Sequence, residues 1–233
     1  MSYSNGQHSD KKIIAVAAPI GRVGSSALMG LLNLTGINLG GRKTGLSGKA
    51  PMAPKGFFEL PGLKKIHPAY FISGLPPPPT ITEYKNFSKL YTSSFVKLIT
   101  MEFGNQFPIA IKSLRLFIIP MLHNLRYQYN IYIIRLSREL YAQAASLANV
   151  FKQSRRQITI DKCKQYILQW KVFEKQVWDM YSDFTFIDIT FEKLINRPIQ
   201  TMQQLGNILN ITVPGNTAIQ AWIDPQLVHK ERT

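Results

Sequence analysis

The chain has 233 residues, 45% of them hydrophobic and 18% charged, which allows a substantial core and argues against disorder. Its 28 Lys and Arg against 13 Asp and Glu give a formal net charge of +15, a field that gathers anions without choosing among nucleotides, nucleic acid, acidic glycans and anionic lipid. One cysteine excludes an intramolecular disulfide, and no apolar run approaches the roughly 18 residues of a membrane span.

Residues 1–10, MSYSNGQHSD, are polar and are expected to form a flexible tail before one domain spanning 11–233. Lys12 to Ala18 (KIIAVAA) is a short β-rich run of the buried-strand type. It leads into Pro19-Ile20-Gly21-Arg22-Val23-Gly24-Ser25-Ser26, and Leu28, Leu31 and Leu32 then recur at helical spacing before Gly36. Residues 40–56 are a basic loop rich in glycine and proline, and a helix is expected from Leu60 to Phe71. Four prolines within Gly74 to Pro79 predict an extended surface segment. A helix is expected from Thr82 to Thr100, a strand at Phe107–Ile111, helix around Leu116–Leu125, and a strand at Asn130–Ile134. Helices follow from Glu139 to Phe151 and along the seam Cys163, Tyr166, Ile167, Trp170, Phe173, Val177 and Met180. Cys163 and Trp170 are read as core, the alternative for Cys163 being a reactive thiol. Phe184–Ile189 is the last strand, and Pro198 opens a helix to Leu209. Strands alternating with helices predict an α/β fold: three layers, α/β/α, around a mostly parallel sheet.

The strand, glycine turn and helix at the N-terminal end read as the opening of a phosphate-binding unit, the alternative being a glycine turn of the kind also found in folds that bind nothing there. A helix N-terminus offers unpaired amides and the positive end of a dipole. Gly21 and Gly24 let backbone approach an anion, Ser25 and Ser26 add hydroxyls, and Arg22 adds a forked positive charge. Ser25 occupies the place where a Walker A loop needs lysine, so the magnesium logic of an ATPase is poorly supported.

Laid out this way, the chain resembles the sulfotransferases that use 3′-phosphoadenosine 5′-phosphosulfate (PAPS). Arg22-Val23-Gly24-Ser25-Ser26 is similar to the family's 5′-phosphosulfate loop, P-x-R-S-G-T-[ST]. Lys55-Gly56-Phe57-Phe58-Glu59 resembles the G-[YF]-[WF]-E segment of bacterial branches, and Lys112-Ser113-Leu114-Arg115 resembles their K-D-P-R. Arg138 to Ser146 is similar to the 3′-phosphate motif, an Arg with a Ser eight positions on; Ala142-Gln143-Ala144-Ala145-Ser146-Leu147 looks like the trehalose-sulfotransferase-type branch. The resemblance spans residues 12–212 and implies a fold like the P-loop-containing nucleotide hydrolases. Departures are Val23 for Ser, Ser25 for Thr, Ser113-Leu114 for Asp-Pro, and Arg135-Leu136-Ser137-Arg138 for R-D-P-R. Arg138 keeps the spacing to Ser146, with Arg135 in reserve. Eight helical residues span about 12 Å, so the arginine must stand before the helix and reach back.

The resemblance implies PAPS as donor, no metal, and a donor site of Arg22, Val23, Gly24, Ser25, Ser26, Arg138 and Ser146. Arg22 would also act on the transferring group. Glu59 is the candidate base, although an acid in a helix's first turn would look the same; His67 is the second candidate. Lys112 and Arg115 follow a strand and are assigned to sulfate or acceptor, the alternative being two solvated bases. His8, His123 and His229 are read as tail, surface or structural residues. Small-molecule, glycan or lipid acceptors fit, with no specific nucleic acid, no membrane span and a cytoplasmic location; the oligomeric state is open. Two other readings compete: a P-loop small-molecule kinase, and a basic non-enzymatic module binding a polyanion.

Overall fold

The computed structural model describes residues 11–42, 46, 58–66, 75–114 and 116–223, without the side chains of 64, 65, 87 and 88. In chain order its elements are β1 (Lys12–Ala18), α1 (Ser25–Leu34), α2 (Gly62–Ile66), α3 (Ile81–Phe103), β2 (Ile109–Leu114), α4 (Ile119–Leu125), β3 (Asn130–Ser137), α5 (Leu140–Gln153), α6 (Ile160–Met180), β4 (Thr185–Thr190), α7 (Phe191–Asn196), α8 (Pro198–Leu209) and α9 (Asn216–Trp222). The four strands form a parallel sheet in the order β2-β1-β3-β4.

Strand parity builds the layers, because successive side chains point to opposite faces. Ile13, Ala15 and Ala17 face a core completed by Leu98 and Phe103 of α3, Leu122 of α4, and Trp170 and Phe173 of α6. Ile14, Val16 and Ala18 face α1, α8 and α9 through Leu28, Leu31, Met202, Leu205 and Ile219. The central β1 is covered on both sides, which explains its unbroken apolar sequence. From β1 the chain adds β2 on one side and then crosses to add β3 on the other. The C-terminal end of β1 is therefore the point where connections diverge, the place where open α/β sheets hold ligands.

Local signals account for most boundaries. Thr80 accepts a hydrogen bond from the Glu83 amide while Glu83 takes the Thr80 amide, a reciprocal cap that starts α3 at Ile81. Thr80-Ile81-Thr82-Glu83 carries that signal in sequence, one residue ahead of the expected start. Pro198 opens α8 as expected. Two expectations need correction. The proline segment is not wholly on the surface: residues 75, 76, 78 and 79 are half-buried, and the Pro76 carbonyl accepts the Trp170 indole N–H at 3.3 Å. β3 runs three residues past Ile134 because β4 continues to pair with it through Ser137↔Thr190. The helix after Leu60 is described only as α2, and its expected continuation to Phe71 lies outside the described residues, as does the 1–10 tail. Cys163 is buried with its thiol pKa pushed up by desolvation. His123 packs against Tyr181 and Phe184 and pairs with Asp183 at 3.1 Å.

Candidate functional site

The segment from Pro19 to Gly24 leaves β1 at that diverging end and turns sharply into α1. Gly21 and Gly24 both have φ of 82° and Arg22 has φ of 60°. The turn thus uses left-handed backbone, easy for glycine and costly for arginine. Gly24 is the residue preceding α1, and with no side chain it leaves the first-turn amides without a side-chain cap. A β-carbon there would also meet Phe191 at 2.6 Å. Val23 is buried, so its side chain serves the core and only its backbone can serve the turn. Ser25 is buried and Ser26 half-buried.

Residues distant in sequence converge on this turn. Lys112, inside β2 and opposite Val16 in the ladder, points to the α1 face. Its Nζ donates to Ser26 Oγ at 3.2 Å and to Glu59 Oε1 at 3.1 Å. Burial lowers the Lys112 pKa, Glu59 opposes that shift, and the charge of Arg22 adds to it. From the other side, Arg22 Nε donates to Ser146 Oγ of α5 at 3.0 Å. Arg138 Nη1 donates to the Arg22 carbonyl at 3.2 Å, and Gln143 Nε2 donates to the Gly21 carbonyl at 3.0 Å. The Arg138 guanidinium lies 4.1 Å from the centre of the Phe191 ring, a cation–π contact that fixes its plane.

Of the residues expected at the site, Arg22, Val23, Gly24, Ser25, Ser26, Glu59, Lys112, Arg138 and Ser146 are thus joined through the turn and its direct partners. His67 and Arg115 lie outside the described residues. Arg135 is engaged elsewhere: its Nε donates to Asp188 Oδ1 at 2.6 Å, and its guanidinium stacks 4.5 Å from the Phe186 ring. Glu59 precedes α2 by three residues, so it is not in that helix's first turn. Two participants were not read from sequence. Gln143 lies within the quoted 142–147 run, but a glutamine in a helix announces nothing. Phe191, the first residue of α7, carries no polar signal at all.

A cavity of about 340 Å³ adjoins the turn on the α6 side. Pro19, Ile20, Gln143 and Ser137 line it, together with Lys171 and Glu174 of α6. The Glu174 pKa is raised by burial, although the Trp178 indole donates to its Oε1 at 3.1 Å and Lys171 lies nearby. Among the described residues no helix is long and apolar enough to cross a membrane.

The turn, three basic side chains, three serine hydroxyls and one carboxylate make a site suited to an anion carrying more than one acidic group, with a proton acceptor beside it. No protein-family model matches the chain, and no curated protein matches it. Among solved structures it is similar to the crystal structure of a sulfotransferase from Alicyclobacillus acidocaldarius, at 12% identity and a TM-score of 0.47, with 91% of this chain and 87% of that chain covered.

Proposed function

We propose that the chain is a sulfotransferase that moves a sulfuryl group from PAPS to the hydroxyl or amine of an acceptor. The observation that carries this reading is the meeting of two phosphate-type donor sets at one turn. The α1 amides with Arg22 and Ser26 form one set, and Arg138 with Ser146 forms the other, tied to it by the Arg22–Ser146 hydrogen bond. A nucleotide with phosphates on both its 3′ and 5′ oxygens presents two anionic groups of that kind. The chemistry of the donor set fits: cations, hydroxyls and uncapped amides, with one carboxylate among them.

Bound PAPS would supply a sulfuryl group whose bond to a phosphate oxygen breaks as the acceptor oxygen or nitrogen bonds to sulfur, releasing adenosine 3′,5′-bisphosphate. Arg22 and the amides of Gly24 to Ser26 hold the 5′-phosphate and balance charge on the transferring oxygens. Such work is positioning and electrostatics, as in phosphoryl transfer. Arg138 and Ser146 hold the 3′-phosphate. Glu59 takes the acceptor's proton; its Oε1 carries the Lys112 bond, and Oε2 is the atom we assign to the proton. Lys112, linked to both Ser26 and Glu59, keeps the base beside the turn. The same reading places the protein in the cytoplasm, where Cys163 stays a thiol.

Calorimetry tests this reading. The parent should bind adenosine 3′,5′-bisphosphate without magnesium and far more tightly than AMP. Ser146→Ala and Arg138→Ala should each cut that preference by about 10-fold or more, the loss expected of a hydrogen bond to a charged group. Equal affinity for the two ligands, or magnesium-dependent binding of ATP in their place, would remove the donor assignment.

A further inference from the structure

Arg22 is the least comfortable residue of the turn. At φ 60° its β-carbon crowds the backbone, and Gly21 and Gly24 on either side are also left-handed. A stretch like this persists only where its surroundings over-determine it. Two side chains of the β3–α5 unit do so. Gln143 Nε2 takes the Gly21 carbonyl at 3.0 Å, and Arg138 Nη1 takes the Arg22 carbonyl at 3.2 Å. In a trans peptide the carbonyl and the next amide point in opposite directions. Fixing the Gly21 carbonyl against α5 therefore aims the Arg22 amide away from α5, and fixing the Arg22 carbonyl does the same for the Val23 amide. Successive amides aimed to one side make an anion-binding concavity.

Gln143 is a costly choice for anything less. It is 4% exposed, beside Ala144 and Leu147 on α5, and a buried amide must find partners to offset its lost water. A methionine would fill the same space without that requirement. We propose that Gln143 is a positioning residue for the phosphate turn: its hydrogen bond to the Gly21 carbonyl holds the Arg22 amide in the direction of the donor's 5′-phosphate. The proposal rests on reading the turn as the holder of that phosphate.

The test uses the full chain, calorimetry with AMP and with adenosine 3′,5′-bisphosphate, and melting temperatures of every variant. Gln143→Met keeps the volume and removes the donor. Gly21→Ala reaches the same turn independently: a β-carbon there would meet nothing within 4 Å, so only the backbone at φ 82° is strained. Each variant should weaken both ligands by a common factor of about 5 to 10, the loss of one neutral hydrogen bond, because the 5′-phosphate is what the ligands share. The double variant should be little worse than Gly21→Ala alone, since both act through one conformation. A folded Gln143→Met with parental affinities overturns the proposal. So does a loss confined to the bisphosphate, which would make Gln143 a reader of the 3′ group, or losses that add fully in the double variant. If Gln143→Met does not fold, Gln143→Leu carries the same expectations, because it too is apolar, has no donor and adds no charge beside the turn. A parent that binds AMP and the bisphosphate equally defeats the donor reading and leaves the Gln143 comparison standing on AMP. A parent that binds neither defeats both.

Discussion

At the scale of single residues, Glu59 and Lys112 carry the sharpest expectation. Both are substantially buried, with side-chain exposures of 15% and 4%, and their contact of 3.1 Å is an ion pair drawn up beside Ser26. Removing one partner of such a pair strands the other charge, so a base is better tested by a change that keeps the contact. In Glu59→Gln the amide oxygen can still accept from Lys112 but cannot take up a proton. We expect parental affinity for adenosine 3′,5′-bisphosphate and a single-turnover rate lower by about 10²- to 10⁴-fold. A parental rate would exclude Glu59, and His67→Ala is the companion variant that would then be expected to fail. The two arginines after β3 make the same point about context. Arg135 and Arg138 are indistinguishable as residue types three positions apart, yet Arg135 is inside the strand opposite Asp188, and Arg138 stands past its end against the turn. Arg135→Ala should therefore leave the preference for the bisphosphate over AMP unchanged in calorimetry, whereas Arg138→Ala should not; a lost preference in Arg135→Ala would reverse the assignment.

Elements show where a small change in one segment depends on a distant one. Helix α1 starts the site, and its far side is closed by α9, whose Trp222 indole donates to the Ala27 carbonyl at 3.0 Å. Trp222 lies so close over Gly30 that a β-carbon there would sit 1.8 Å from Cζ2. An intra-helical Gly→Ala change ordinarily stabilises, through helix propensity and a less flexible unfolded chain. Here overpacking should win: Gly30→Ala should lose about 1–3 kcal/mol in denaturant unfolding. Gly215→Ala is the control, since its φ is −59° and its β-carbon would meet nothing within 4 Å; as an N-cap change it should cost under about 1 kcal/mol. Equal stability of Gly30→Ala and the parent would mean that α9 does not pack on α1 in this way. Nothing in residues 216–222 advertised α9: seven residues without a capping side chain or a clear apolar period do not separate helix from loop.

For the whole molecule, Glu174 links the fold to pH. Its carboxyl is pushed above the ordinary value of 4.5 by burial, against the Trp178 hydrogen bond and the nearby charges of Lys171 and Arg135. A carboxyl with a raised folded-state pKa binds more protons folded than unfolded, so stability falls as pH rises above the unfolded value. Glu174→Gln keeps an oxygen for the indole N–H and loses the titration. It should melt higher than the parent at pH 7, with the difference shrinking toward pH 4; a difference independent of pH would show that burial of the charge is not its cause. The elements themselves were largely legible in the sequence. β1 and α8 were read to the residue, because seven consecutive apolar or aliphatic-stem residues and a proline in a first turn are signals complete within one segment. So were the strand, glycine turn and helix that open the chain and the alternation that makes the sheet parallel. Local sequence could not decide what faces the turn. Arg22 and Ser146 are separated by 124 residues, Lys112 and Ser26 by 86, and Lys112 and Glu59 by 53. Which side chains meet across such distances depends on strand register and parity. One residue of slip would turn Lys112 from the α1 face to the α3 face and part Arg135 from Asp188. Register is set jointly by the sheet and the two cores packed on it, so it exists only in the assembled structure.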